Sequence, residues 1–286
     1  MAWLFPNILV VIRGAGDLAS GVAARLVRAG FPVIMLERPL PLLVRRTVSF
    51  GSAIFENGHY EVEGIQSFLA KNADQIPGIL EKNVIPILID PAGQMIHHLL
   101  PQVVVDARMQ KDPLDTKMTD APLVVALGPG YEAGRQCHAV IETNRGHRLG
   151  RVYWEGTAEA DTGTPGKVAG YDSERVLRAP ISGHVIPANG IDIGLHVEKG
   201  STIAKVNDYP IVASFPGVVR GLIHPSVWAE AGIKIGDLDP RDEVSHCFTI
   251  SDKALAIGGG VLEAILSAPQ IRSLLRVSEA VSDVSL

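Results

Sequence analysis

The clearest chemical signal in this chain is the stretch VVIRGAGDLASG, in which Gly14, Gly16 and Ala19 fit the pattern G-x-G-x-x-G/A. They lie between an apolar run that reads as a strand and an amphipathic run that reads as a helix, the context this fingerprint requires. There the first glycine permits a tight turn, the second lets the backbone approach a phosphate, and the small third residue lets the helix pack on the sheet. Glu37 closes the next apolar run about 20 residues further on, where an acid accepts a ribose 2′-hydroxyl and disfavours a 2′-phosphate. The spacing favours an NAD-like or adenosine-containing ligand. Asp17 carries a second reading. An aspartate at a helix amino terminus satisfies free N–H groups and complements the dipole, work that a bound anion would otherwise do. Arg13, just ahead of the turn, is a candidate partner for Asp17.

Other residues compete for attention. Arg45 and Arg46, in LLVRRTVSFGSA, could clamp a phosphate or carboxylate bidentately, or form a solvated face with surface ion pairs. Arg108, in VDARM, is an independent candidate of the same kind. Gly128, Gly130 and Gly134 follow another apolar run and suggest a second anion-cradling loop at the same edge of the sheet. Cys137 and His138 come next, with His147 nearby, and a second doublet stands at His246 and Cys247. Adjacent strand residues face opposite ways, so each doublet offers one metal ligand, and no metal site is assigned. Cys137 is a candidate ligand or reactive thiolate beside His138; Cys247 reads as a small core residue. Asp90, Asp106, Glu142 and Asp239 lie at strand ends or turns, where an acid/base and a capping carboxylate look alike.

The elements that must position these groups follow from periodicity. Strands are expected over 8–13, 32–37, 84–90, 103–107 and 122–128, with a helix from about Leu18 to Ala29 that Gly30 stops. This alternation predicts βαβ units around a mainly parallel sheet. After Gly130 the texture becomes rich in Gly and Pro, with short alternating segments. A weak repeat relates GHVI (from Gly183) plus VEKGSTIAKV to GVVR (from Gly217) plus AEAGIKIGDL, which points to a pseudo-symmetric small barrel or sandwich. A final helix is expected to start at a Ser251 or Asp252 cap and to break at Pro269. Inside it Gly258 to Gly260 cost about 1 kcal/mol each relative to Ala, which close backbone packing would justify.

The 286 residues carry a net charge of -5, and 47% are hydrophobic. Without clustered basic residues, nucleic acid and anionic membranes are not expected partners. The amino-terminal run lacks a signal-peptide pattern, no segment reaches the roughly 20 apolar residues of a membrane span, and two cysteines give no disulfide framework. A cytoplasmic setting is expected.

Taken together, VIRGAGDLASGVA, VRRTVSF, VDARM, LGPGYEAGRQCHAVIETNRGHRLGRV, RVLRAP, KIGDLDPR and ISDKALAIGGGVLEAI resemble the selenium-dependent molybdenum hydroxylase accessory protein family, over about Ile12 to Ile265. The resemblance implies a role in maturing or maintaining such hydroxylases, with a hydroxylase client as partner, and it places Arg145 with the residues above among recurrent positions. It carries over no catalytic residue. LRAPISGHV, VEKGSTIAKV and ASFPGVVRGL also resemble the barrel-sandwich fold of biotinyl and lipoyl carriers, yet the intervening NDYPIVAS has no lysine for cofactor attachment. The expected fold is thus α/β: a Rossmann-like parallel-sheet domain over 1–130, a β-rich barrel-sandwich domain over 131–250 and a C-terminal helical segment over 251–286. Three readings stand side by side. The first is an accessory protein binding a nucleotide or a molybdopterin dinucleotide, its β-rich half docking the client and homo-oligomers left open; the second is an NAD-dependent oxidoreductase. The third is selenium or sulfur transfer through Cys137.

Overall fold

The computed structural model describes residues 3–109, 115–160, 170–171 and 173–275. The apolar runs form strands β1 (Val10–Arg13), β2 (Val33–Glu37), β3 (His59–Val62), β4 (Ile65–Leu69), β5 (Ile85–Ile89), β6 (Val103–Asp106) and β7 (Leu123–Leu127). Short strands β8 (Glu132–Ala133), β9 (Ala139–Ile141) and β10 (Val152–Tyr153) follow. All but β8 join one nine-stranded sheet in the order β10-β9-β7-β6-β1-β2-β5-β4-β3. Its interior is parallel, and the β9/β10 and β3/β4 pairs at its edges are antiparallel. The sheet therefore extends past residue 130, where the sequence texture changes.

The run β5-β2-β1-β6-β7-β9 has the 3-2-1-4-5-6 pattern of doubly wound sheets, so it is consistent with a Rossmann-like arrangement. The order reverses at β1: β2 flanks one side and β6 the other. Because both faces are covered, these strands are apolar throughout rather than alternating. Val10, Ile12, Val33 and Met35 belong to one core, and Val11, Ile34 and Leu36 to another. Helices α2 (Ile76–Leu80) and α3 (Met95–Leu99) contribute to the second core, whereas α1 (Asp17–Arg28) belongs to the first.

A short helix, α4 (Ser245–Phe248), precedes α5 (Asp252–Ser267), which packs across α1 with Ala254, Ile257, Val261 and Ile265 in the same core. Ser251 caps α5 by accepting from the Ala254 N–H at 3.2 Å. The helix ends before Pro269, which opens α6 (Pro269–Arg272). Close packing explains two of its three glycines. A Cβ on Gly258 would stand 2.7 Å from the Gly21 carbonyl oxygen of α1, and one on Gly260 would collide with the Gly150 carbonyl, whereas Gly259 faces open space.

The remaining strands are β11 (Gly156–Thr157), β12 (Val176–Arg178), β13 (Gly183–Pro187), β14 (His196–Val197), β15 (Thr202–Val206), β16 (Tyr209–Val212), β17 (Gly217–Leu222), β18 (Trp228–Ala229) and β19 (Lys234–Asp239). β11 pairs with β8. The others form two four-stranded antiparallel sheets, β12-β19-β17-β14 and β16-β15-β13-β18, around a separate core. Exchanging β13 for β17, β14 for β18, β15 for β19 and β16 for β12 converts one order into the other. The repeat in the sequence is thus a repeat in topology. The β15–β16 turn holds Asn207 and Asp208, with Asn207 left-handed at φ 52°.

Gly258→Ala and Gly260→Ala are each expected to destabilise the fold by about 1–3 kcal/mol through overpacking. Gly259→Ala should instead be neutral or stabilising by up to about 1 kcal/mol, as helix propensity dictates. Urea unfolding of the three variants distinguishes these outcomes.

Candidate functional site

The carboxyl ends of β1, β2, β5 and β6 open onto a crevice of about 460 Å³. Gly14 and Gly16 form its floor, Glu37 and Arg38 end β2 within it, and Asp90, Pro91, Ala107 and Arg108 come from the β5 and β6 ends. Pro41, Leu42 and Leu43 supply an apolar wall. This is the switch point of an open parallel sheet, where such folds bind ligands.

The two glycines of the turn have different reasons to be there. Gly14 has φ +102°, and a Cβ on it would approach the Ala107 and Arg108 backbone to 3.3 Å, so the fold itself requires it. Gly16 has φ −80°, and a Cβ there would make only an ordinary 3.6 Å contact with Leu43. Internal packing does not demand glycine at this position. Ala19 is buried at the α1–sheet contact, as the fingerprint expects.

Glu37 reaches back to the turn. Its Oε2 accepts from the Ala15 N–H at 2.7 Å and its Oε1 from the Arg38 N–H at 2.8 Å. Burial pushes its carboxyl above the ordinary range, against the pull of the two N–H groups, Arg38 and Arg108. Each oxygen keeps acceptor capacity for a further donor in the crevice.

Asp17 does not cap its helix. The N-cap of α1 is Gly16, which has no side chain to cap with, and Arg45 holds the Asp17 carboxylate instead, Nη1 donating to both oxygens at 3.0 Å. Arg45 Nη2 donates to the His246 and Thr249 carbonyls at 2.9 and 3.1 Å. Arg46 donates from Nε to the Leu222 carbonyl and pairs with Asp192. Neither arginine lines the crevice, and Arg45 is no surface group at 7% exposed. Both fasten the segment after β2 to the rest of the chain and neither lines the crevice as a clamp, while the Arg46 pair with the exposed Asp192 is the kind of surface ion pair that a solvated face implies.

Arg13 does not reach Asp17 either. It is 3% exposed and donates bidentately to Asp115 at 3.0 Å and to Thr116 Oγ1 at 2.9 Å. Arg108 bridges Asp115 and the fully buried Asp106. Asp106 also accepts from Thr116 and, at 2.6 Å, from the Tyr131 hydroxyl. Burial would raise Asp106, but its bonds to Arg108, Thr116 and Tyr131 hold it below the usual range. Asp115 is held at about 2: the hydrogen bonds and charges of Arg108 and Arg13 outweigh its desolvation. Tyr131 is pushed up by burial and by Asp106.

Sequence reasoning missed Thr116, Asp115 and Tyr131. A signal was present in the charged residues ending two apolar strands, Arg13 in VVIR and Asp106 in VVVD, which a buried sheet tolerates only when paired.

The loop after β7 does not form a second cradle at the crevice. Gly128 and Gly130 have φ +73° and +103°, and a Cβ on Gly128 would strike Thr143 and Met109. What this loop delivers is Tyr131. Cys137 and His138 precede β9, and His138 Nδ1 accepts from the Val124 N–H near the start of β7, away from the carboxyl ends. Burial lowers the His138 pKa. Cys137 is fully buried, and burial with nearby Asp106 pushes its thiol up to about 12, the reverse of an activated thiolate. Cys247 lies in the core of the β-rich half, so the two Cys/His doublets do not converge.

The remaining carboxylates serve the backbone or arginines. Asp90 accepts from the Met95 N–H, Glu142 from the Asn144 and Glu159 N–H groups, and Asp239 from Arg241. Arg145 pairs bidentately with Asp252 at the start of α5.

No protein-family model matches the chain. The chain is 48% identical over 258 residues to "Uncharacterized protein YqeB" of Escherichia coli (strain K12). The match takes in 90% of this chain but 47% of the relative, so the chain spans about half the length of the curated protein it matches. Among the described residues no helix is long and apolar enough to cross a membrane.

Three outcomes test this picture. Arg45→Ala should cost about 1–3 kcal/mol by removing a buried guanidinium from partly buried acceptors, whereas removing the Arg46–Asp192 pair should cost no more than about 1 kcal/mol; urea unfolding measures both. Asp115 has a depressed folded value, so its contribution to stability is present above its unfolded value of about 3.9 and is lost as pH falls through about 2. Asp115→Asn should therefore flatten the acid limb of a stability–pH curve in that window. Native Cys137 should react with a thiol reagent at pH 8 only as fast as the protein opens, with urea accelerating the reaction.

Proposed function

We propose that this chain is an accessory protein for selenium-dependent molybdenum hydroxylases and that its crevice binds a nucleotide or the nucleotide part of a pterin-nucleotide ligand. One observation carries the ligand half of the reading. At the switch point of the parallel sheet, a glycine that packing does not require lines the same crevice as a carboxylate anchored on the turn's own N–H. A nucleotide phosphate over Gly16 with its ribose against Glu37 accounts for both. The accessory role rests on the shared motifs from VIRGAGDLASGVA to ISDKALAIGGGVLEAI.

In this reading the large sheet is a Rossmann-like ligand domain and the two antiparallel sheets are a barrel-sandwich domain that docks the client. The side chains of Ile186, Tyr209 and Trp228 support the docking role, each being more than half exposed on the β16-β15-β13-β18 sheet. The Asn207-Asp208 turn supplies no lysine, so cofactor carriage is not part of the proposal. The buried Cys137 weighs against selenium or sulfur transfer through its thiol.

Titration calorimetry of the purified chain against ATP, CTP, NAD and a molybdopterin dinucleotide, with hydroxylase assays in cells lacking the chain, tests both halves. Binding of at least one nucleotide and loss of hydroxylase activity are expected. Absence of binding to all four, with normal hydroxylase activity, would sink the reading.

A further inference from the structure

Doubly wound sheets are built from two mononucleotide-binding halves, and a dinucleotide lies across both. Here the first half is β1, β2 and β5, and the second is β6, β7 and β9. The crevice belongs almost wholly to the first. Its walls come from the ends of β1, β2 and β5 and from the segment after β2, and the second half contributes only Ala107 and Arg108.

The ends of β6 and β7, where the second nucleotide of a dinucleotide would rest, are occupied by the protein itself. Asp106 is fully buried beneath Arg108, Thr116 and Tyr131, and Asp115 ties Arg108 to Arg13. Clearing that space would expose or strand several paired charges, each costly to leave without a partner. The Gly128 turn is likewise packed against Thr143 and Met109.

We infer that the crevice takes a single nucleotide, a nucleoside diphosphate with a free ribose diol, and does not read the second half of a dinucleotide. The inference rests on the nucleotide-binding reading above and sharpens it. The Glu37 carboxylate spends one acceptor position per oxygen on Ala15 and Arg38 and keeps the others for the ribose hydroxyls. Gly16 leaves space for the diphosphate, and Pro41, Leu42 and Pro91 offer apolar walls to the base. A larger ligand leaves its second half outside the crevice, so hydride transfer from a seated nicotinamide is not supported.

Calorimetry on the full chain with ADP, CDP, NAD, nicotinamide mononucleotide and 2′-deoxy-ADP tests this. ADP or CDP should bind, NAD should match ADP within about threefold, and nicotinamide mononucleotide should bind at least about tenfold more weakly, a difference of about 1.4 kcal/mol. Loss of the 2′-hydroxyl should weaken binding about tenfold in the wild type, as for a hydrogen bond to a charged group. Glu37→Gln should erase that discrimination, and Gly16→Val, at a backbone conformation open to any residue, should abolish binding while the chain still melts cooperatively. NAD binding tenfold tighter than ADP, or nicotinamide mononucleotide binding as well as ADP, overturns the inference while leaving nucleotide binding intact. Failure of every nucleotide to bind overturns both readings.

Discussion

The geometry around the crevice depends on Arg45. This one guanidinium, almost removed from water, holds the Asp17 carboxylate at the start of α1 and two backbone carbonyls just ahead of α5. The segment it anchors includes Pro41 to Leu43, the apolar wall of the crevice, only two residues away. The same segment meets the β-rich half: Gly221 packs where a Cβ would strike the Val44 carbonyl, and Phe55 stacks on His224 at 4.3 Å. Thr47 donates to the Cys247 carbonyl, closing the joint from a third side. A desolvated charge with several fixed acceptors is intolerant of displacement, because any shift leaves a buried group unpaired.

By occupying Asp17, Arg45 also alters the electrostatics of the turn. The acid that looks from sequence like a substitute for a bound anion is neutralised from behind, and α1 presents its first turn without a side-chain cap. Glu37 is the carboxylate that engages the turn, from the neighbouring strand. The roles that the sequence suggests for Asp17 and Arg13 are thus redistributed among Glu37, Arg45 and Asp115.

Legibility in the sequence followed the range of the interactions. Strands buried on both faces betray themselves as continuous apolar runs, and the helix expected from Leu18 to Ala29 is Asp17–Arg28. The repeat around Gly183 and Gly217 was visible because each copy keeps its own turn and strand pattern. Gly14, Gly16 and Glu37 were legible because their geometry is set within one βαβ unit. Arg45 was not: its acceptors lie 28, 201 and 204 residues away, and nothing local distinguishes such an arginine from a surface one. The membership of β9 and β10 in the large sheet was hidden for the same reason, since short strands of Gly-rich texture reveal no distant partner.

The exchange of strands between the two repeats has a consequence for how the β-rich half comes into being. β13 of the first repeat sits between its own β15 and β18 of the second, while β17 and β19 sit between β14 of the first and β12. Neither copy possesses a complete sheet, so a nascent chain that has emerged only as far as β16 has nothing with which to finish either one. Each sheet of the β-rich half is thus completed only by strands from both repeats. With every sheet drawn from both copies, the two repeats are expected to unfold together rather than one at a time.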